Sequence, residues 1–161
     1  MSIVTDQPRL RMTRRFDASP ERLFDAWTDP RMAHGWLFTT PDSESHSAEI
    51  DLRVGGQWKI VDRRGGTDYA AIGEYLEIDR PRRLVFTFGM PQFSPAFNTV
   101  TVAIVADGNG ALMTLTQEGL PPEHIPPTQD GWSNMFEALS RQVLGGGLKA
   151  ACATPETRRP L

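Results

Sequence analysis

The sequence predicts an α+β domain in which an antiparallel sheet of about seven strands packs on one long C-terminal helix, with two short helices after the first strand. Three observations predict it. Thr128 to Leu144 carries Trp132, Met135, Phe136, Leu139 and Val143 at helical spacing, one apolar stripe on an otherwise polar segment. Seven shorter runs alternate apolar and polar residues, as half-buried strands do. Tight turn signals separate six of those runs, and closely spaced turns make neighbouring strands antiparallel. A lone helix of that length is marginal in water, so its stripe must be buried against the sheet.

The first strand places Leu10, Met12, Arg14 and Phe16 on one face and Arg9, Arg11, Thr13 and Arg15 on the other. Arg14 breaks the apolar series, either at a bulge or strand end that lets the guanidinium reach solvent or as a cation pointing into a cavity. Ser19-Pro20-Glu21 opens a helix with Ser19 as cap and Pro20 at its first position, and Leu23, Phe24 and Trp27 form its apolar face. Asp29-Pro30 starts a second short helix over Pro30 to Gly35, with Gly35 as its stop.

Thr39 to Ser47 is polar and reads as a loop. Ala48, Ile50 and Leu52 alternate in the second strand, and Gly55-Gly56 turns the chain into a third with Trp58 and Ile60. Arg63 to Thr67 marks a hairpin before a long strand from Tyr69 to Ile78, and Asp79-Arg80-Pro81 marks the next turn. Leu84, Phe86 and Phe88 form strand five, and Val100, Val102 and Ile104 form strand six. Met113 and Leu115 form strand seven after the turn at Asp107-Gly108-Asn109-Gly110. Met90 to Phe97, with Pro91, Phe93, Pro95 and Phe97, is an apolar loop that reads as a lid or an interface. Pro126-Pro127 reads as a stop before the long helix, Thr128 as its cap, and Gly145-Gly146-Gly147 as its end or a kink.

At 161 residues the chain fits one domain, residues 1–150, with 151–161 as an expected disordered tail. Its 17 basic and 20 acidic residues give a net charge of −3, against a nucleic-acid partner. Cys152 is the single cysteine, so no internal disulfide forms. No apolar run reaches the roughly 20 residues that span a bilayer, and the N-terminus lacks a signal-peptide pattern. Cytoplasmic residence is the expectation, without a membrane partner.

Four separated motifs, D-A-S-P-E-R-L-F-D-A-W-T-D-P at 17–30, A-E-I-D-L-R-V-G-G-Q-W at 48–58, G-E-Y-L-E-I-D-R-P-R-R-L-V-F-T-F at 73–88 and G-W at 131–132, carry a resemblance. The chain resembles the START-like (SRPBCC) superfamily, and within it bacterial homologues of the C-terminal domain of the activator of heat-shock-protein ATPase, related to polyketide cyclases. The resemblance covers roughly Arg9 to Leu144 and implies a helix-grip fold, a curved sheet wrapped around the last helix with a cavity between them. It is far less specific for function. Many relatives carry a second Trp and a Gly-Pro after the Trp at position 36, where this chain has Leu37-Phe38.

The chemistry read from the residues is mostly negative. His34, His46 and His124 are scattered, no His or Cys pair stands at metal-ligand spacing, and no nucleophile motif or phosphate loop is present. No cofactor, metal or catalytic residue is expected. What remains is an aromatic-rich set, Trp36, Phe38, Trp58, Tyr75, Phe86, Phe88, Phe97, Trp132, Met135 and Phe136, placed by parity and by the implied geometry around the space between sheet and helix. Tyr69, Tyr75, Asn98, Gln117 and Glu118 are its candidate polar groups. The expected partner is a small hydrophobic or aromatic molecule held by apolar walls and a few polar groups. Two alternatives stand: an interaction module whose partner is a chaperone or a second copy of the chain, and a cyclase or hydrolase using a pocket general acid or base.

Overall fold

A computed structural model describes residues 9–38, 45–91 and 96–145. In chain order the elements are β1 (Arg9–Phe16), α1 (Pro20–Thr28), α2 (Pro30–Ala33), β2 (Ser45–Ile50), β3 (Gln57–Arg64), β4 (Thr67–Asp79), β5 (Arg83–Phe88), β6 (Asn98–Asp107), β7 (Gly110–Glu118), a single 3-10 turn (Pro122–His124) and α3 (Ile125–Gly145). The seven strands form one curved antiparallel sheet in the order β1-β7-β6-β5-β4-β3-β2. It is a meander closed by β1, which returns to pair with the last strand.

The strand period sorts residues between the two faces. Register rows such as Leu10–Gln117–Val100–Phe86–Tyr75 point inward, and Trp132, Phe136, Leu139 and Val143 of α3 are buried against this face. From α1 come Leu23, Phe24 and Trp27, all 2% exposed or less. Local chemistry sets the helix ends. Ser19 Oγ accepts from the Arg22 N–H at 3.1 Å, and Asp29 closes α1 and caps α2 by accepting from the Arg31 N–H at 2.9 Å. At the other end Arg22 Nε donates to the Val143 carbonyl at 2.7 Å, satisfying a last-turn acceptor of α3. Gly65 and Gly66, with φ of 57° and 79°, supply the two left-handed residues of the β3–β4 hairpin.

Four local expectations need correction. The long helix begins at Ile125, so Pro126-Pro127 lie in its first turn and Thr128 is not its cap. Proline is tolerated there because first-turn amides have no intrahelical acceptor. β2 spans Ser45–Ile50 and stops short of Leu52, which is 43% exposed. The chain leaves the ladder at Asp51 because residues 51–56 coil on themselves, with the Gly56 N–H donating to the Arg53 carbonyl and the Gly55 N–H to the Tyr75 carbonyl on β4. Helix α2 ends at Ala33, and Gly35 lies beyond it beside the flexible end of Gln142 of α3, 2.6 Å from where a Cβ would stand. Arg14 stands in regular register opposite Met113, so there is no bulge, and its guanidinium reaches Glu137 of α3 at 2.9 Å at the rim. Gly145 is the last described residue of α3, and Gly146, Gly147, Phe93, Cys152 and the tail lie outside the described residues.

Candidate functional site

The space between sheet and α3 is closed at one end and open at the other. Toward α1, Trp27 packs edge-on to Trp36 at 4.7 Å between centroids and tilted against Phe86 and Trp132 at 6.1 and 5.8 Å. Only a gap of about 10 Å³ remains there, bounded by residues including Leu37, Trp58, Ile60, Tyr75 and Phe86. It has room for one water at most, and since the Trp27 and Trp58 indoles already donate to Met113 and Thr87, the Tyr75 hydroxyl is the polar group left to meet one. Toward the start of α3 the space opens into a cleft of about 560 Å³, within the range of small-molecule sites. Its walls are Phe38, Phe88, Met90, Leu120, Pro121, Trp132 and Met135, with Asn98, Gln117, His124 and Thr128 as polar groups.

One hydrogen-bond chain crosses the floor of this cleft. Trp132 Nε1 donates to Gln117 Oε1 at 2.8 Å, and Gln117 Nε2 donates to Asn98 Oδ1 at 2.8 Å. The direction is forced. An indole N–H can only donate, so the fully buried Gln117 must turn its oxygen to Trp132 and its nitrogen to Asn98. Asn98 therefore accepts with its oxygen and keeps its NH₂ group, which donates to no described residue, at the cleft wall. Strand register makes this possible: Gln117 lies opposite Val100 on β6, and Asn98 opposite Phe88 on β5, at the strand ends beside the cleft.

An aromatic platform forms the side wall. Trp58 of β3 and Phe88 of β5 lie within 3° of parallel with centroids 6.4 Å apart, although β4 runs between their strands. Gly73 of β4 allows this, since it pairs with Trp58 and brings no side chain between the rings. There the β4–β5 ladder lapses, and Trp58 Nε1 takes the Thr87 carbonyl at 3.2 Å in place of a backbone donor. Phe38 lies across both rings, 5.4 Å from Trp58 and 4.8 Å from Phe88 between centroids and within 11° of parallel to each. Offset stacking at these separations is favourable.

The residues expected at the site divide between these environments. Phe38, Phe88, Trp132 and Met135 line the cleft, and Trp58 lies under Phe38. Trp36, Tyr75, Phe86 and Phe136 are at most 3% exposed and belong to the closed core. Trp36 Nε1 donates to the Ala26 carbonyl, and Phe136 packs edge-on against Phe16. The Tyr75 hydroxyl bonds to no described residue, and burial raises its pKa above the ordinary 10.0. Phe97 is 48% exposed and belongs to a separate groove on the outer face with Gln57, Lys59, Ile72 and Thr87. Among the polar candidates, Asn98 and Gln117 reach the cleft, Glu118 is exposed, and Tyr69 lies under the Arg64 guanidinium at 4.3 Å. Leu120, Pro121 and Gly131 were not among the sequence candidates, because a Gly-Leu-Pro-Pro stretch has no periodicity to read. No cluster of three metal-ligating side chains occurs among the described residues. Among the described residues no helix is long and apolar enough to cross a membrane.

Comparison with known proteins agrees with this architecture. The profile of the family described as Activator of Hsp90 ATPase homolog 1-like protein matches residues 17–143. A crystal structure of a protein from Chromobacterium violaceum is similar at 28% identity, with a TM-score of 0.72 over 84% of this chain and 96% of that one. A Staphylococcus aureus protein of unknown function is similar at 20% identity and a TM-score of 0.75, covering 86% and 94%. A solution structure of an AHSA1-like protein from Aeromonas hydrophila is similar at 20% identity and a TM-score of 0.72, covering 87% and 94%. A search of curated proteins finds no match.

Proposed function

The chain belongs to the Activator of Hsp90 ATPase homolog 1-like protein family, and from that premise we propose that it binds a small, largely apolar ligand in the cleft between the sheet end and the first half of α3. The observation that carries this reading is the directed chain from Trp132 through Gln117 to Asn98, which ends at the mostly apolar cleft wall in an amide donor that bonds to no described residue. Apolar walls supply affinity and a fixed donor supplies orientation. The ligand is accordingly apolar over most of its surface and carries one hydrogen-bond acceptor, a carbonyl, ether or carboxylate oxygen, for Asn98. Covalent catalysis has no part in this reading. His124 is the only histidine of the cleft among the described residues and has no carboxylate ion pair there.

The test is a titration of the native protein with 1-anilinonaphthalene-8-sulfonate, compared with Met135→Ala and Asn98→Leu at equal folded fraction. The expected result is saturable one-site binding, weakened several-fold by Met135→Ala, which removes a half-buried wall, and by Asn98→Leu, which removes the donor. Binding that is absent, or indifferent to both substitutions, overturns the reading and moves contact with a chaperone ahead of it.

A further inference from the structure

We propose that Phe38 is a built-in plug: its ring occupies an aromatic slot on the Trp58–Phe88 platform, and the ligand that displaces it is a flat aromatic molecule bearing an acceptor for Asn98. This rests on the cleft reading above and names the ligand class for it. Three observations converge on Phe38. Its ring lies nearly parallel to both platform rings, 11° or less from each, which is the position a ligand ring would take. Its backbone is left-handed at φ 56°, unlike every other described residue except glycines. A bulky side chain adopts that conformation at a cost, and such strain is held only where surrounding contacts compensate it. Its backbone N–H is held by the Met135 sulfur at 3.0 Å, a weak acceptor that is itself a cleft wall.

The ring stacking that holds Phe38 in place is what a planar ligand replaces like for like, while the weak contact of the Phe38 N–H with the Met135 sulfur is given up. Stacking on Trp58 and Phe88 is regained by the ligand ring, and the left-handed strain is released as residue 38 moves out. An aliphatic chain regains no stacking and gains less from displacing the plug. Phe88 and Asn98 are register partners across β5 and β6, so a ring stacked on Phe88 lies on the strand pair that carries the Asn98 amide.

The experiment compares 2-naphthoate with octanoate by isothermal titration, on native protein, Phe38→Gly and Phe38→Asn. Both replacements accept a left-handed backbone and leave the slot empty, and circular dichroism confirms folding of each. The expected result is that native protein binds 2-naphthoate and that at least one variant binds it about tenfold more tightly, with octanoate affinity changed less than threefold. Unchanged or weaker 2-naphthoate binding in both folded variants, with native binding intact, overturns the plug and leaves the cleft reading standing. An equal gain for octanoate also overturns it, since extra volume alone then explains the effect. Absence of 2-naphthoate binding in all three proteins overturns the plug as well, and 1-anilinonaphthalene-8-sulfonate then decides whether the cleft reading falls with it.

Discussion

Replacing Gly73 with alanine tests whether the aromatic platform depends on one missing side chain. A Cβ at position 73 would stand 1.7 Å from the Thr87 carbonyl oxygen, 2.7 Å from its carbon and 2.6 Å from Trp58 Nε1. Contacts under 3.0 Å essentially do not occur for a Cβ, so β4 and β5 must part here by more than an ångström. The backbone oxygen cannot swing aside as a flexible side chain would. Overpacking of this kind costs about 1–3 kcal/mol, and losing the Trp58 to Thr87 hydrogen bond adds about 0.5–1.5 kcal/mol. The expected loss is therefore about 1.5–4.5 kcal/mol, read as a lower urea midpoint at unchanged m-value. For a chain of this size that lowers Tm by at least about 3 °C. Gly65→Ala is the control, because nothing lies within 4 Å of its Cβ and only its φ of +57° opposes a side chain; that strain costs about 1–2 kcal/mol. If Gly73→Ala costs no more than Gly65→Ala, the close approach of β4, β5 and Trp58 does not exist and the account of the platform fails.

Two further perturbations follow from the same geometry. Gln117→Leu keeps the shape of a fully buried side chain but leaves the Trp132 indole N–H without its acceptor; the expected loss is about 1–3 kcal/mol by chemical denaturation, and a change under about 0.5 kcal/mol, ordinary for a neutral site, would refute the hydrogen-bond chain. Tyr75→Phe should be nearly neutral at pH 7, because the hydroxyl has no described partner. At alkaline pH the two proteins diverge. The unfolded tyrosine ionises near the ordinary 10.0 while the buried one holds its proton to higher pH. From about pH 10 upward, while the native tyrosine keeps its proton, the unfolded state binds fewer protons, so native stability falls relative to Tyr75→Phe by up to about 1.4 kcal/mol per pH unit. Denaturation curves at pH 8, 10 and 11 that stay parallel for both proteins would show the hydroxyl to be solvated.

The sheet was legible because six of its seven strands are joined in sequence and half-buried, the condition under which period two survives in the side chains. What misled was local chemistry with two meanings. Pro126-Pro127 stops a helix when it interrupts one and starts a helix when it fills the first turn, and only the neighbouring 3-10 turn at Pro122–His124 distinguishes the two. The alternation Ala48, Ile50, Leu52 ran past the end of β2 because Leu52 continues the pattern without continuing the ladder. Gly35 reads as a helix stop by its type, yet α2 ends before it, and Gly35 lies against the side-chain end of Gln142 from a helix a hundred residues later, a contact no local pattern encodes.

The site was legible only as a direction. Parity separates inward from outward residues, which brought Phe88, Trp132, Asn98 and Gln117 into consideration, but it carries no information on depth. Trp58, Phe86 and Phe88 alternate alike, and only the third reaches the cleft wall, because α1 and the Trp27–Trp36 pair seal the space above the others. Phe38 lies in an aperiodic turn, where its left-handed backbone decides what it does. Trp132 has two roles at once: its ring closes the core against Trp27, and its indole sets the direction of the amides that end at Asn98. Stability and binding are thus inseparable at Trp132. They separate best at Met135, which is half-buried and lines the cleft without sealing the core, whereas the half-buried Asn98 also accepts from the buried Gln117 amide. A ligand-binding role is accordingly to be tested at both positions at equal folded fraction, with Asn98→Leu also expected to cost stability because it leaves the buried Gln117 Nε2 without its acceptor.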